Sequence, residues 1–224
     1  MHQAVYLPSP YAIIVFNPDF VYPNPANWGS DMEMNHYTGI ILAGGAGKRF
    51  GGQDKGLISF KGQPLIEHAL LLTQACCQTT VISANRNLAL YQSYGISVVP
   101  DVDPGFQGPL SGIKACESII QSKWTLVIAC DMPHLNLPLL NRLQAELKAS
   151  HCSAAVYGQN DILQCGLFAF ENNRVTDLST YLSTGNRSIK GWLREQTLLV
   201  LDEPNPVYFT NLNSPDLLTS IEPG

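Results

Sequence analysis

The sequence predicts an α/β protein, Rossmann-like, with three α/β/α layers in which helices cover both faces of a mostly parallel central sheet. Three observations support this. Short apolar runs, such as residues 39–43 and Trp124–Ala129, read as strands buried on both faces. Stretches with helical apolar spacing separate them. Several runs end at a glycine-rich loop or an aspartate, where a parallel sheet presents its ligands.

Taken in order, residues 1–36 carry scattered Pro, Asn and aromatic residues without periodicity, and are expected to be a poorly ordered extension. Met32 or Met34 is an alternative start, which would make that extension an artefact of numbering. Residues 37–224 are expected to form one domain.

The first strand, residues 39–43, runs directly into a glycine-rich loop. Pro64 is placed as the N1 residue of a helix in which Leu65, Ile66, Ala69, Leu70 and Leu72 recur at helical spacing. A strand at residues 79–84 follows, then a short helix at 88–94 closed by Gly95, and a strand at 96–99 that leads to Asp101. A helix over 110–122 precedes the strand Trp124–Ala129, which ends in Cys130-Asp131. A helix from Pro138 to Ser150, strands near 153–157 and 166–170, and shorter elements complete the chain. The loops at Gly44, Asp101 and Asp131 should converge on one sheet edge.

Composition narrows the function. With 224 residues, 45% hydrophobic and 14% charged, the chain can bury a real core. A net charge of −5 argues against sequence-independent nucleic-acid binding, which needs a broad cationic excess. The six cysteines form no CxxC pair and no zinc-type Cys/His set, so reduced thiols are expected. The apolar run 11–16 is far shorter than the ~20 residues that span a bilayer. No Lys or Arg precedes Lys48, so a signal peptide is not expected. A cytoplasmic monomer without nucleic-acid or membrane partners is expected.

The most informative stretch is Leu42-Ala-Gly-Gly-Ala-Gly-Lys-Arg-Phe-Gly-Gly-Gln-Asp-Lys55. Its glycines let backbone N–H groups approach phosphate oxygens. It is not a P-loop, because Arg49 follows Gly-Lys, and GxGxxG read from Gly45 puts Phe50 at the last glycine. Lys48, Arg49, Lys55 and Lys61 place four of the 13 basic residues here, a local cluster with which an acidic protein can hold a triphosphate. A solvated basic turn is the plainer reading, but a turn does not need so many glycines after a buried strand.

Asp131 sits where a hard cation shared with phosphates would bind, with a helix cap or turn as the alternative. Asp101 occupies the equivalent position after its own strand, with a surface turn as the alternative. His36, His68, His134 and His151 share no metal spacing and read as core or surface histidines. Cys76-Cys77 reads as helix-end packing.

These residues resemble the molybdenum cofactor guanylyltransferases of MobA type, within the nucleotidyltransferase superfamily that also makes nucleotide sugars. The likeness runs from about Gly39 to Leu218 through Leu42-Ala-Gly-Gly45, Arg49, Gly51-Gly-Gln-Asp-Lys-Gly56, Gly62-Gln-Pro-Leu65 and Asn85-Arg86. It continues through Asp101, Gly108-Pro-Leu-Ser-Gly-Ile113, Cys130-Asp-Met-Pro133 and Asn211-Leu-Asn-Ser-Pro-Asp-Leu217. The ordered set is far more specific than a glycine loop alone.

The resemblance implies a nucleotide-diphospho-sugar transferase-like fold and transfer of GMP from GTP to the phosphate of Mo-molybdopterin, with Mg²⁺ as cofactor. It implies that Leu42, Ala43, Gly44, Gly45 and Lys55 contact GTP, that Ser83 lies on the guanine side, and that Asp101 positions the nucleotide. Asp131 would bind Mg²⁺, Arg49 would lie along the triphosphate, and Asn211 and Asn213 would lie on the pterin side. Arg49, Lys55 and Asp131 are the expected catalytic residues. Transient contacts with molybdenum-insertion proteins and molybdoenzyme chaperones are also implied.

Two departures stand out. Ser83 replaces an Asn common in the guanine-side pocket, and Ile162-Leu163-Gln164-Cys165 replaces an Arg-x-Gln-Pro pattern. A cytidylyltransferase, a sugar-phosphate nucleotidyltransferase and a non-catalytic nucleotide-binding accessory protein therefore stay open as alternatives.

Overall fold

β1 (Tyr37–Leu42) begins the chain described by the computed structural model, which covers residues 37–44, 52–101, 108–159 and 162–212. The expected extension at 1–36 lies outside those residues. A 3-10 turn at Lys55–Leu57 leads into a hairpin of β2 (Ser59–Phe60) and β3 (Gln63–Pro64), then α1 (Leu65–Cys76) and β4 (Thr79–Ser83). Next come α2 (Leu88–Gln92), β5 (Ser97–Val99), α3 (Pro109–Ala115), β6 (Trp124–Ala129) and α4 (Leu137–Ala149). The chain continues through β7 (Ala154–Gln159), β8 (Ile162–Glu171), α5 (Val175–Ser183), α6 (Ile189–Arg194) and β9 (Leu198–Leu201).

Seven strands form one sheet in the order β5-β4-β1-β6-β8-β7-β9. β5, β4, β1 and β6 run parallel, β8 is antiparallel to both β6 and β7, and β7 pairs parallel with β9. This is the expected mostly parallel sheet, with β8 as its antiparallel member.

Successive strand side chains point to opposite faces, and the two cores follow that alternation. Ile41, Ile82, Leu126, Ile128 and Tyr157 join one core with Ile66 and Leu70 of α1 and Leu140, Leu143 and Leu147 of α4. Ile40, Val81, Val127, Val156 and Phe168 join the other with Leu110 and Ile113 of α3, Leu178 of α5 and Trp192 of α6. Trp192 meets Phe170 edge-on at 5.2 Å, which seats α6 against β8. The three layers thus follow from apolar strands that need cover on both sides.

Local chemistry sets most of the boundaries. Asn136 caps α4, its Oδ1 accepting from Leu139 N–H at 3.1 Å. Gly95 takes a positive φ of 71° just beyond α2. Cys76 and Cys77 end α1 as buried packing residues, as expected.

Several expectations shift: the helix read to residue 94 ends at Gln92, and the strand read near 166–170 runs from Ile162 to Glu171. Pro64 closes β3 and stands at the cap of α1, one place before the predicted N1. α3 ends at Ala115, well short of Ser122, and a 3-10 turn at Glu117–Ile119 follows. Ser122 Oγ and Thr38 Oγ1 lie 2.8 Å apart in a buried hydrogen bond that ties the entry of β6 to β1, a contact made by residues beyond the end of the helix.

Candidate active site

The parallel strands end in register, with Leu42 beside both Ser83 and Ala129. Backbone bonds extend the ladder one residue further: Ala43 N–H donates to Ser83 O at 2.9 Å, Cys130 N–H to Leu42 O at 3.2 Å, and Ala84 N–H to Val99 O at 3.1 Å. The segments carrying Gly44, Asp101 and Asp131 therefore leave the sheet at one edge, as the strand pattern predicted.

Across that edge Lys55 Nζ donates to Asp131 Oδ2 at 2.7 Å. The two side chains keep 29% and 14% of their exposure, so the pair stays partly open to solvent. Asp131 does not cap a helix, since Asn136 caps α4. The carbonyl of Asp131 accepts from Leu212 N–H at 2.9 Å, which brings Asn211 to this loop. Asn211 Oδ1 is buried and has no hydrogen-bond partner among the described residues.

On the other side of β1, Asn85 and Asp101 bond reciprocally. Asn85 Nδ2 donates to Asp101 Oδ2 at 2.8 Å, and Asp101 N–H donates to Asn85 Oδ1 at 2.7 Å. Gly112 of α3 faces this pair and the buried Ser83, and a Cβ there would collide with Ser83 Oγ and lie 3.2 Å from Asp101 Oδ1. Only glycine lets α3 come so close to β4. Gly44 is exposed, with the Asn85 amide nearest its Cβ position at 3.6 Å.

The structure thus brings Leu42, Ala43, Gly44, Ser83 and Asp101 to one half of the edge and Lys55, Asp131 and Asn211 to the other. Gly45, Arg49 and Asn213 lie outside the described residues, as does Lys48. Sequence reasoning assigned no site role to Asn85, Gly112, Asp54 or Tyr91. Asn85 was legible as a polar residue two places past a buried strand, whereas Tyr91 reads as an ordinary apolar position of a short helix.

Burial shifts the titratable groups near the edge. Burial, with Asp131 and Asp54 nearby, pushes the Cys130 thiol up, so it stays protonated and unreactive. Burial lowers His68, and His134 is lowered by burial and then by Lys61 and His68. Each ring meets Phe60 edge-on with centroids 5.6 Å apart, and His68 Nε2 also lies 3.2 Å from Phe60 O. Among the described residues no group of three or more His, Cys, Asp or Glu is placed to hold a metal ion. No helix among them is long and apolar enough to cross a membrane.

A parallel sheet edge with a glycine-rich sequence after β1, a lysine paired with an aspartate across it and the Asn85–Asp101 pair beside it fits a nucleotidyltransferase of the α/β class. Residues 39–200 match the family model described as a MobA-like NTP transferase domain. The chain belongs to that family.

Similar proteins agree. A molybdenum cofactor guanylyltransferase of Methylibium petroleiphilum is 35% identical over 195 residues, covering 84% of this chain and 96% of its own. One from Shewanella amazonensis is 36% identical over 180 residues, covering 79% and 91%. Among solved structures, molybdopterin-guanine dinucleotide biosynthesis protein A of Archaeoglobus fulgidus superposes with a TM-score of 0.70 at 23% identity, over 82% of this chain and 95% of that one. A 4-diphosphocytidyl-2C-methyl-D-erythritol synthase of Anaerococcus prevotii superposes at 0.66 with 11% identity, over 84% and 95%. At these identities the two structures speak to the fold alone.

Proposed function

We propose that the protein is a molybdenum cofactor guanylyltransferase. It transfers GMP from GTP to the phosphate of Mo-molybdopterin, giving the guanine dinucleotide form and pyrophosphate. The observation that carries this reading is the Lys55–Asp131 pair, held at 2.7 Å across the ligand-bearing sheet edge beside the loop that follows β1.

In this reading the acceptor phosphomonoester attacks the α-phosphorus of GTP in line and pyrophosphate leaves. A phosphomonoester has a second pKa near ~6 and is largely dianionic at neutral pH. It needs no general base, which agrees with His68 and His134 both being packed against Phe60. The barrier lies in bringing two anions together and stabilising the charge that shifts to the leaving group.

Lys55 meets that demand at Nζ, where its charge already faces the edge. Arg49 would lie along the triphosphate, with backbone N–H groups of residues 42–45 against its oxygens. Asp101, fixed by Asn85, and the buried Ser83 would bound the base side, with Asn211 and Asn213 towards the pterin.

The donor set fits a magnesium ion shared with substrate. Magnesium commonly binds through one or two carboxylates and completes its shell with water and phosphate oxygens. Asp131 is such a single carboxylate, only partly engaged by Lys55 through Oδ2. Asp131 would hold the ion. When bound there, the ion neutralises phosphate charge and polarises the reacting group.

The test supplies Mo-molybdopterin with Mg²⁺ and GTP, CTP, ATP or UTP in turn, and identifies products by mass. Guanine dinucleotide and pyrophosphate formed with GTP are expected. Turnover confined to CTP would favour the cytidylyltransferase reading that Ser83 leaves open. Nucleotide binding without pyrophosphate release would leave the accessory-protein reading.

A further inference from the structure

Lys55 is carried by a short turn outside the central sheet, so something must hold that turn against the Asp131 loop. Asp54, 8% exposed, is the buried carboxylate beside it. Its Oδ1 accepts from Tyr91 Oη at 2.7 Å and from Gly56 N–H at 3.2 Å, and its Oδ2 accepts from Asn87 Nδ2 at 3.0 Å. Next to these, Arg86 donates from Nη1 to Gly52 O at 2.7 Å and from Nη2 to Gln53 O at 3.3 Å.

Apart from the local bond from Gly56, every one of these contacts comes from residues 86–91, at the start of α2. That helix has five residues, and Tyr91 is its one buried side chain, while Leu90 is 55% exposed. The Tyr91 ring joins the core that also holds Ile82 and Ile66, with Leu88 packed against it, while its hydroxyl is directed at Asp54. Burial and the adjacent Asp54 push the Tyr91 phenol up, so it remains an O–H donor.

Asn87 adopts the left-handed region, φ 49° and ψ 34°. A non-glycine residue persists there where surrounding contacts over-determine it, and its amide is the group bonded to Asp54. Gly56 closes the arrangement, because a Cβ at that position would collide with Tyr91 Oη.

We propose that Asp54, Asn87 and Tyr91 form the positioning device for Lys55, clamping the Lys55 turn to α2 so that its ammonium meets both Asp131 and the triphosphate. None of the three touches substrate; they act through Lys55. The inference rests on the nucleotidyltransferase reading above.

The test compares the full chain with Tyr91→Phe, Asp54→Asn and the reversed pair Asp54→Asn/Asn87→Asp. It measures Kd for Mg·GTP by calorimetry, KM for GTP and for Mo-molybdopterin, kcat and Tm. Misplacement of a catalytic group by about 1 Å can cost on the order of 10²-fold. Asp54→Asn turns two amides towards each other, and because the displaced Lys55 serves both binding and the reacting charge, a fall of roughly 10- to 100-fold in kcat per folded enzyme is expected together with a rise in Kd and KM for GTP, with KM for Mo-molybdopterin unchanged. The reversed pair restores one donor facing one acceptor and should recover most of the loss.

A merely structural network would lower Tm and the active fraction while leaving Kd for Mg·GTP at its original value, and that result overturns the proposal. So does a reversed pair no better than the single variant. Should the buried variants fail to fold, Arg86→Met releases the Gly52 and Gln53 carbonyls from a less buried position, and an unchanged Kd there overturns it equally. Absence of Mg·GTP binding by the unaltered chain overturns the functional reading, and this inference with it.

Discussion

Lys55 and Asp131 face each other across the sheet edge, and in the proposed reaction each would gain a second partner, phosphate for the lysine and a cation for the aspartate. Removing either should therefore damage turnover more than folding. Asp131→Ala is expected to abolish magnesium-dependent pyrophosphate release while the folded fraction stays near that of the unaltered chain by circular dichroism. Lys55→Ala removes one electrostatic donor, for which losses on the order of 10²-fold in kcat are typical. A near-normal rate would reduce Lys55 to a surface charge. Both residues were legible in the sequence because each follows a segment whose chemistry is local: a glycine-rich loop or a buried strand. Asp54 and Tyr91 were not, because their partnership spans 37 positions and nothing near either residue announces the other.

At the scale of elements, the β2–β3 hairpin docks on α1 through Phe60, which touches both His68 and His134. His68 Nε2 also lies 3.2 Å from Phe60 O. Burial holds both imidazoles below their ordinary value, so folding favours their neutral forms. Below about pH 6.5 the unfolded chain binds these protons more readily, and stability is lost as pH falls from there through the lowered folded values. Tm should accordingly drop between pH 7.5 and 5.5, and His68→Gln should drop less. Equal slopes would exclude His68 as a contributor. Strand and helix existence was legible from periodicity, but the early end of α3 was not. The bond between Thr38 and Ser122 just beyond it joins residues 84 positions apart. The antiparallel course of β8 was equally hidden, since an apolar strand reads the same in either direction.

For the molecule as a whole, a ligand that binds only the folded state stabilises it by mass action, about 2.7 kcal/mol at a hundredfold excess over Kd. Saturating Mg·GTP should therefore raise Tm, and by more than the same concentration of Mg·CTP if the base side selects guanine. An identical shift for both nucleotides would place selectivity outside the pocket bounded by Ser83 and Asp101.

The sequence by itself determined the three-layer architecture, the order of its motifs and the loops that bear the site. Apolar periodicity, glycine content and the charge after each strand are properties of neighbouring residues. Only the tertiary structure decided which of those residues meet: Lys55 with Asp131, Asn85 with Asp101, Gly112 with Ser83, and Asp54 with Tyr91. Such meetings depend on strand order, register and the closeness of helix to sheet, which arise from packing over the whole chain and leave no mark on any short segment.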